Sequence, residues 1–165
     1  MQPLTNVMMS LNINDKLMAL KSIERIIQLC GQNIRNDGWR VIIINVGKAS
    51  EIGEQQSFIM GATESKQQVS GASSDLVRYE QLVLQNGFKC LKLIISNYIQ
   101  SLGQDNFVSI FTCIQRFAQS DNENINSNLT AIAMFMNVAD YTAKLTRELN
   151  DKKVNVRKSQ VSSTS

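Results

Sequence analysis

The chain has 165 residues, of which 43% are hydrophobic and 19% are charged, and its formal net charge is +3. This composition excludes an intrinsically disordered chain, which would contain fewer apolar residues, and no apolar run approaches the roughly 20 residues of a membrane-spanning helix. The chain contains no histidine, so the commonest general base and the commonest metal ligand are missing. We therefore expect a protein that is not an enzyme and has no metal or cofactor.

The N-terminal part of the chain predicts two helices. Apolar residues recur over 13–34 at the three- and four-residue steps of one helix face, and Asn12 or Asn14 can cap the start of this helix. The next apolar run, 39–46, is rich in β-branched residues and is also compatible with a buried strand. A lone strand would leave its backbone unpaired, so we predict a second helix with Trp39 as a core anchor.

The segment 50–74 differs from its surroundings. It is rich in serine, glutamine and glycine and shows no sustained periodicity, which predicts a long flexible loop inserted between helices. An apolar triplet, Phe58-Ile59-Met60, interrupts it. The triplet is either a docking motif for the groove of a partner protein or a short turn that folds back onto the body of the molecule.

The second half of the chain predicts three more helices. The third spans about 76–102 and is apolar around most of its circumference, so it must be covered on more than one side. Gly103 is a good stop for it, and Asp105 or Asn106 can cap a fourth helix. The fifth helix spans about 127–149.

The fifth helix also contains two candidate partner-binding residues. Met134 and Met136 flank Phe135, and flexible methionine side chains suit an adaptable binding surface. Their position in a helix with a predicted apolar face also fits ordinary core residues. Both interpretations of the two methionines remain open at this stage.

The three cysteines are widely spaced and odd in number. Cys30, Cys90 and Cys113 each lie among apolar residues. We predict that all three are reduced core residues of a protein from a reducing compartment.

The positive charge is concentrated near the C-terminus. The segment 144–158 carries a net +4, which leaves −1 for the rest of the chain. Its candidate contacts to an anionic surface are Lys152, Lys153, Arg157 and Lys158. The segment lacks interleaved aromatic residues, so we predict no nucleic-acid binding, and a solvated helix end is the simpler interpretation. We expect residues 150–165 to form a basic, disordered tail.

Short turns between long apolar helices predict an all-α fold of antiparallel helices. We predict an armadillo/HEAT-like α-solenoid module over residues 1–149, with about five helices and the 50–74 insertion. A free-standing helix bundle is the alternative. No repeat is visible at the level of residues, which HEAT-like arrays permit.

Several segments, in this order, carry a resemblance to a known family. They are Gly38-Trp39, Phe88 to Leu93, Phe107 to Ala118, Asn124 to Ala133 and Asn137 to Tyr141. The series resembles the conserved segment downstream of the Sec-seven domain in the large Arf guanine-nucleotide exchange factors. It is most similar to the Golgi and endosomal relatives that lack the exchange domain, and it covers about residues 14–149.

The resemblance implies a fragment of a large armadillo-like scaffold in vesicle traffic. The implied location is the cytoplasmic side of the trans-Golgi network and endosomes, with indirect or peripheral membrane contact. The implied partners are a Dop-one-like protein and Arf-like small GTPases, and self-association is compatible with solenoid ends. The resemblance includes no part of the exchange domain, so it implies no residues that catalyse nucleotide exchange in this chain. The alternatives are a regulatory module of a true Arf exchange factor and a membrane-surface binder that acts through 144–158.

Overall fold

The computed structural model describes residues 6, 8, 12–51, 72–120 and 125–162, with side chains left out at 72–77, 120, 125 and 154–162. Its helices are α1 (Ile13–Cys30), α2 (Asn36–Gly47), α3 (Ala72–Tyr98), α4 (Gln104–Ser120) and α5 (Ile125–Ser162). All five predicted helices are present, and these described ranges contain no strand. The β-branched run that is also compatible with a strand lies within α2.

Two helix ends differ from the sequence prediction. The first helix ends at Cys30, because a 3₁₀ turn over Gly31–Asn33 replaces its expected last turn. The last helix was expected to end near residue 149 but continues to Ser162, so most of the segment predicted as a disordered tail is helical. Oppositely charged residues four apart, such as Glu148 and Lys152, and the lack of glycine and proline after residue 103 favour this continuation.

The predicted insertion is described only at its edges. A 3₁₀ turn over Lys48–Glu51 follows α2, and α3 already begins at Ala72. Residues 52–71 lie outside the described residues. The candidate docking triplet, Phe58-Ile59-Met60, is within this range.

The first helix begins at a side-chain cap. Asn12 Oδ1 accepts a hydrogen bond of 3.0 Å from the backbone amide of Asn14. Of the two candidate caps, Asn12 therefore fills the role. Asp15 adds a negative charge to the first turn, where it interacts favourably with the positive end of the helix dipole.

Helices two apart in the chain are packed together. The α1 helix packs on α3, and α2 packs on α4, whereas α5 packs mainly on α4. The side chains at the centre of this packing are fully or almost fully buried; the largest are Trp39, Leu20, Ile23, Ile27, Ile43, Leu91, Ile94, Ile95, Ile110 and Phe117. The predicted core anchor Trp39 lies 5.3 Å from the ring of Tyr98, measured between centroids.

The connection between α1 and α2 recurs between α3 and α4. Cys30 has φ −127° and ψ 4°, and Tyr98, 68 positions later, has φ −129° and ψ 9°. A 3₁₀ turn follows each of them, and the amides of Ile34 and Leu102 close these turns with hydrogen bonds of 3.3 and 3.4 Å. The chain therefore contains two pairs of consecutive helices with the same connection, and we call each pair a hairpin.

A few residues of the first two helices and the turn between them recur 68 positions later, in the third and fourth helices and their turn. The identical pairs between these two parts of the chain are Lys21/Lys89, Ile26/Ile94, Ile27/Ile95, Gln32/Gln100, Asp37/Asp105 and Ile42/Ile110. Trp39 and Phe107 are also equivalent, and both are buried. These identities are few, so the likeness of the two connections lies in their backbone conformation, and no residue-level repeat is evident.

The side chain of Asn36 joins the two hairpin connections. Its Oδ1 atom accepts hydrogen bonds from the backbone amide of Gly103, at 2.7 Å, and from Nδ2 of Asn106, at 2.6 Å. Asn106 is only 1% exposed and also donates to the backbone carbonyl of Asn36. A Cβ atom at Gly103 would collide with the Asn36 side chain, so the close approach requires glycine at this position.

Two buried cysteines bridge neighbouring helices. The Cys90 thiol donates to the carbonyl of Leu20 at 3.7 Å, and the Cys113 thiol donates to the carbonyl of Ile43 at 3.5 Å. Burial raises the pKa of Cys90 to about 12 and that of Cys113 to about 11, which keeps both thiols protonated as donors. Cys30 is exposed, so the prediction that all three cysteines are core residues is wrong for this one.

Replacing Asn36 by alanine should destabilise the fold by about 1 to 2 kcal/mol, because a buried amide of Asn106 loses an acceptor. Urea unfolding of the variant measures this loss. The matched control is Asn33→Ala, at an exposed position of the preceding turn, which should change stability by less than about 0.5 kcal/mol. Equal effects of the two variants would contradict the role of Asn36.

The two buried thiols should make stability decrease at alkaline pH. The native state keeps both protons where the unfolded chain, with a thiol pKa of about 8.5, releases them. The expected loss is about 1 kcal/mol for each thiol between about pH 8.5 and about pH 9.5. Unfolding measured across this window should show a smaller loss in Cys90→Ala/Cys113→Ala than in the wild type. An unchanged pH dependence in the double variant would refute the prediction.

Candidate functional site

A groove runs between α3 and α5. It forms because α5 packs mainly on α4 and makes only limited contact with α3. Two cavities lie along it, with volumes of about 260 and about 370 Å³. We take this groove as the candidate functional site and refer to it as the α3–α5 groove.

Each cavity is lined by both apolar and polar residues. The first is lined by Leu84 and Phe88 of α3 and by Phe117 of α4. The rings of Phe88 and Phe117 are 5.6 Å apart between centroids, and this contact fixes the floor. The second cavity is lined by Ile95 of α3 and by Met134 of α5, among others. Both cavities can therefore accept apolar groups from a ligand.

Positive charge lies along the α3 side of the groove. Lys92 and Thr130 line both cavities and so mark the centre of the groove, while Lys89 lines the first cavity. No acidic side chain is among the described residues that line either cavity. The groove is therefore electrostatically suited to a negatively charged group held between two apolar ones.

The two lysines differ in their surroundings. The Lys89 ammonium lies 2.9 Å from Glu24 of α1, which is only 15% exposed, and the hydrogen bond to Glu24 raises the pKa of Lys89. Lys92 is exposed and forms no ion pair within the described part of the chain. Lys92 is thus the cation that a ligand can engage without first breaking an existing pair.

The outer face of α5 carries a second candidate surface. Ile132, Phe135 and Met136 are 57%, 50% and 60% exposed, and Val108 of α4 lies exposed on the neighbouring helix. The rings of Phe135 and Phe111 are 4.9 Å apart between centroids. We call Ile132, Phe135 and Met136 the apolar end face.

The structure separates the residues that the sequence singled out. Met134 is 5% exposed and belongs to the core at the wall of the groove, whereas Met136 belongs to the apolar end face. Lys152 and Lys153 are exposed beyond both surfaces. Arg157 and Lys158, the two other candidate residues, belong to α5, but the structure does not describe their side chains.

The groove residues Lys89, Lys92 and Thr130 were missed from the sequence. Lysines three apart, in a helix that is otherwise apolar around most of its circumference, were the available signal. Such a charge usually points to solvent, so its position beside a groove becomes visible only once α5 is placed.

The described residues show no arrangement for metal chemistry. No group of three or more His, Cys, Asp or Glu side chains comes together there. In the same parts of the chain, none of the helices has an apolar stretch long enough to span a membrane.

The two methionines should respond differently to truncation. Met134→Ala should destabilise the protein by about 2 to 3 kcal/mol, because it leaves a cavity at a buried position. Met136→Ala, two residues away on the same helix, should change stability by less than about 0.5 kcal/mol. Thermal or chemical unfolding compares the two variants, and a larger loss for Met136→Ala would contradict the placement of α5.

Comparisons with protein-family models, with curated proteins and with solved structures find no match to this chain.

Proposed function

We propose that the chain is a non-catalytic protein-interaction module of the armadillo/HEAT-like α-solenoid type. The observation that carries this proposal is the recurrence of one helical hairpin 68 positions apart, with the same 3₁₀ connection in both copies. Stacked hairpins, in which each helix packs on the helix two places before it, are the building principle of solenoid proteins. Such arrays bind other proteins through their grooves and through extended faces.

The apolar end face supports the same proposal. The side of α2 that carries Asn36 and Ile43 packs against α4. Phe111 of α4 lies 68 positions after Ile43 and is therefore its equivalent in the second hairpin. Phe111 is only partly buried, and its neighbour Phe135 is half exposed. An exposed apolar face at this point of a repeat is typical of a surface that receives a further helix or a partner.

The biological setting follows from the family resemblance. We propose that the module belongs to a large Mon-two-like protein, a relative of the Arf exchange factors that acts peripherally at trans-Golgi and endosomal membranes. Its proposed partners are a Dop-one-like protein and Arf-like small GTPases. A module within a true Arf exchange factor is the alternative, and an exchange domain encoded in the same gene would favour it.

Membrane binding through the basic segment is less well supported. Lys152 and Lys153 are adjacent residues of α5, and adjacent residues of a helix are about 100° apart around its axis. Lys152 and Lys153 therefore point in different directions around α5. Anionic membranes are usually bound by clustered basic residues.

Binding to purified candidate partners tests the proposed function. The immobilised chain should bind a Dop-one-like protein or an Arf-like GTPase saturably, and adding the chain should leave the rate of nucleotide exchange on the GTPase unchanged. Accelerated exchange would refute a non-catalytic role. Lack of binding to both partners would refute the trafficking assignment.

Two matched double variants on α5 identify the surface involved. Ile132→Ser/Met136→Ser, on the apolar end face, should weaken partner binding by about tenfold or more. Lys152→Ser/Lys153→Ser should leave it unchanged. The opposite pattern, together with binding of the wild type to phosphatidylserine vesicles, would favour the membrane-surface alternative.

A further inference from the structure

We infer that the α3–α5 groove binds an amphipathic helix of a partner protein, with an acidic side chain placed between two apolar side chains seven residues apart. The inference rests on the proposed function, because it names the partner chemistry of an interaction module. It concerns a different surface from the apolar end face.

The spacing of the two cavities sets the spacing of the apolar residues. Phe88 lines the first cavity and Ile95 lines the second, and they are seven residues apart on α3. Seven residues correspond to about 10.5 Å along a helix, or almost two turns. A partner helix lying along α3 presents side chains seven apart on one face with the same separation.

The volumes fit single large apolar side chains. An apolar cavity of about 150 Å³ accommodates a benzene molecule. Cavities of about 260 and about 370 Å³ therefore have room for a leucine or phenylalanine side chain each. Burial of such side chains against the apolar part of each wall is favourable.

The charge at the centre determines what lies between the two apolar side chains. Lys92 lines both cavities and has no ion-pair partner among the described residues, whereas Lys89 is held by Glu24. A carboxylate on the partner, one turn from each apolar side chain, reaches the Lys92 ammonium. Charge-assisted hydrogen bonds of this kind are the stronger ones, and a basic residue would be repelled.

A protein partner fits the groove better than a membrane surface. Electrostatic binding to anionic membranes typically uses clusters of about four to eight basic residues on an accessible surface. The groove offers one lysine without an ion-pair partner, set between two apolar cavities and walled by α5. Helix-in-groove recognition uses this combination of apolar anchors and a local charge.

Peptide selection tests the inference directly. A displayed library of random peptides about 15 residues long, which span about 22 Å as a helix, is selected on the full chain. Enriched peptides should share an acidic residue between two apolar residues seven apart. An absence of enrichment, or enrichment without the acidic residue at that place, would overturn the inference.

Charge reversal supplies the matched control. Lys92→Glu should lower the affinity for an enriched peptide by about tenfold or more. A peptide with lysine in place of its acidic residue should regain binding to this variant. Lys152→Glu makes the same charge change at an exposed position away from the groove and should have no effect. Equal weakening by both variants would overturn the inference. Thermal unfolding of both variants verifies that they are folded, and Lys92→Ala serves as a second test of the same position.

The outcomes separate this inference from the proposed function. The peptide selection uses no trafficking partner, and the partner assays use variants of the apolar end face, so each can fail alone. Binding to phosphatidylserine vesicles tests the remaining possibility, that the groove binds a membrane. Vesicle binding that is lost in Lys92→Glu, with no peptide enriched, would assign the groove to a membrane and overturn the inference.

Discussion

The amide of Asn36 is the contact on which the rest of the arrangement depends. Its oxygen accepts hydrogen bonds from the backbone of Gly103 and the side chain of Asn106, and so joins the connection of one hairpin to the connection of the next. Asn106 is buried, and a buried amide without partners is costly. These hydrogen bonds act together with the buried core to keep the two hairpins in one register, in which α3 lies on α1 and α4 lies on α2.

This register explains the position of the buried cysteines and, indirectly, the groove. With the hairpins stacked, the thiols of Cys90 and Cys113 meet carbonyls of the preceding hairpin. The last helix is positioned by other contacts, namely the ring pairs Phe107–Tyr141 and Phe111–Phe135, which hold it against α4. Its distance from α3 is thus set by α4, and the space left over is the α3–α5 groove.

The sequence predicted the existence of the helices but not where several of them end. Apolar periodicity identified each helix, since burial of one face is what holds it in place. At the 3₁₀ turn after Cys30, a Cβ atom at Gly31 would meet the ring of Tyr98, and no local sequence pattern encodes this contact between distant parts of the chain. The likeness of the two connections was not visible in the sequence because it lies in the backbone, and burial constrains only the type of residue at equivalent positions, as with Trp39 and Phe107.

The two candidate surfaces differ in the kind of recognition that they can provide. The apolar end face, with Ile132 and Met136, carries no charge of its own, and hydrophobic contact is non-directional. The groove adds a single cation, Lys92, between two apolar cavities, and a charge at a fixed place rejects ligands of the wrong sign. Both surfaces belong to α5 but lie on different sides of that helix. A partner in the groove and a neighbour on the end face can therefore bind without competing for the same side chains.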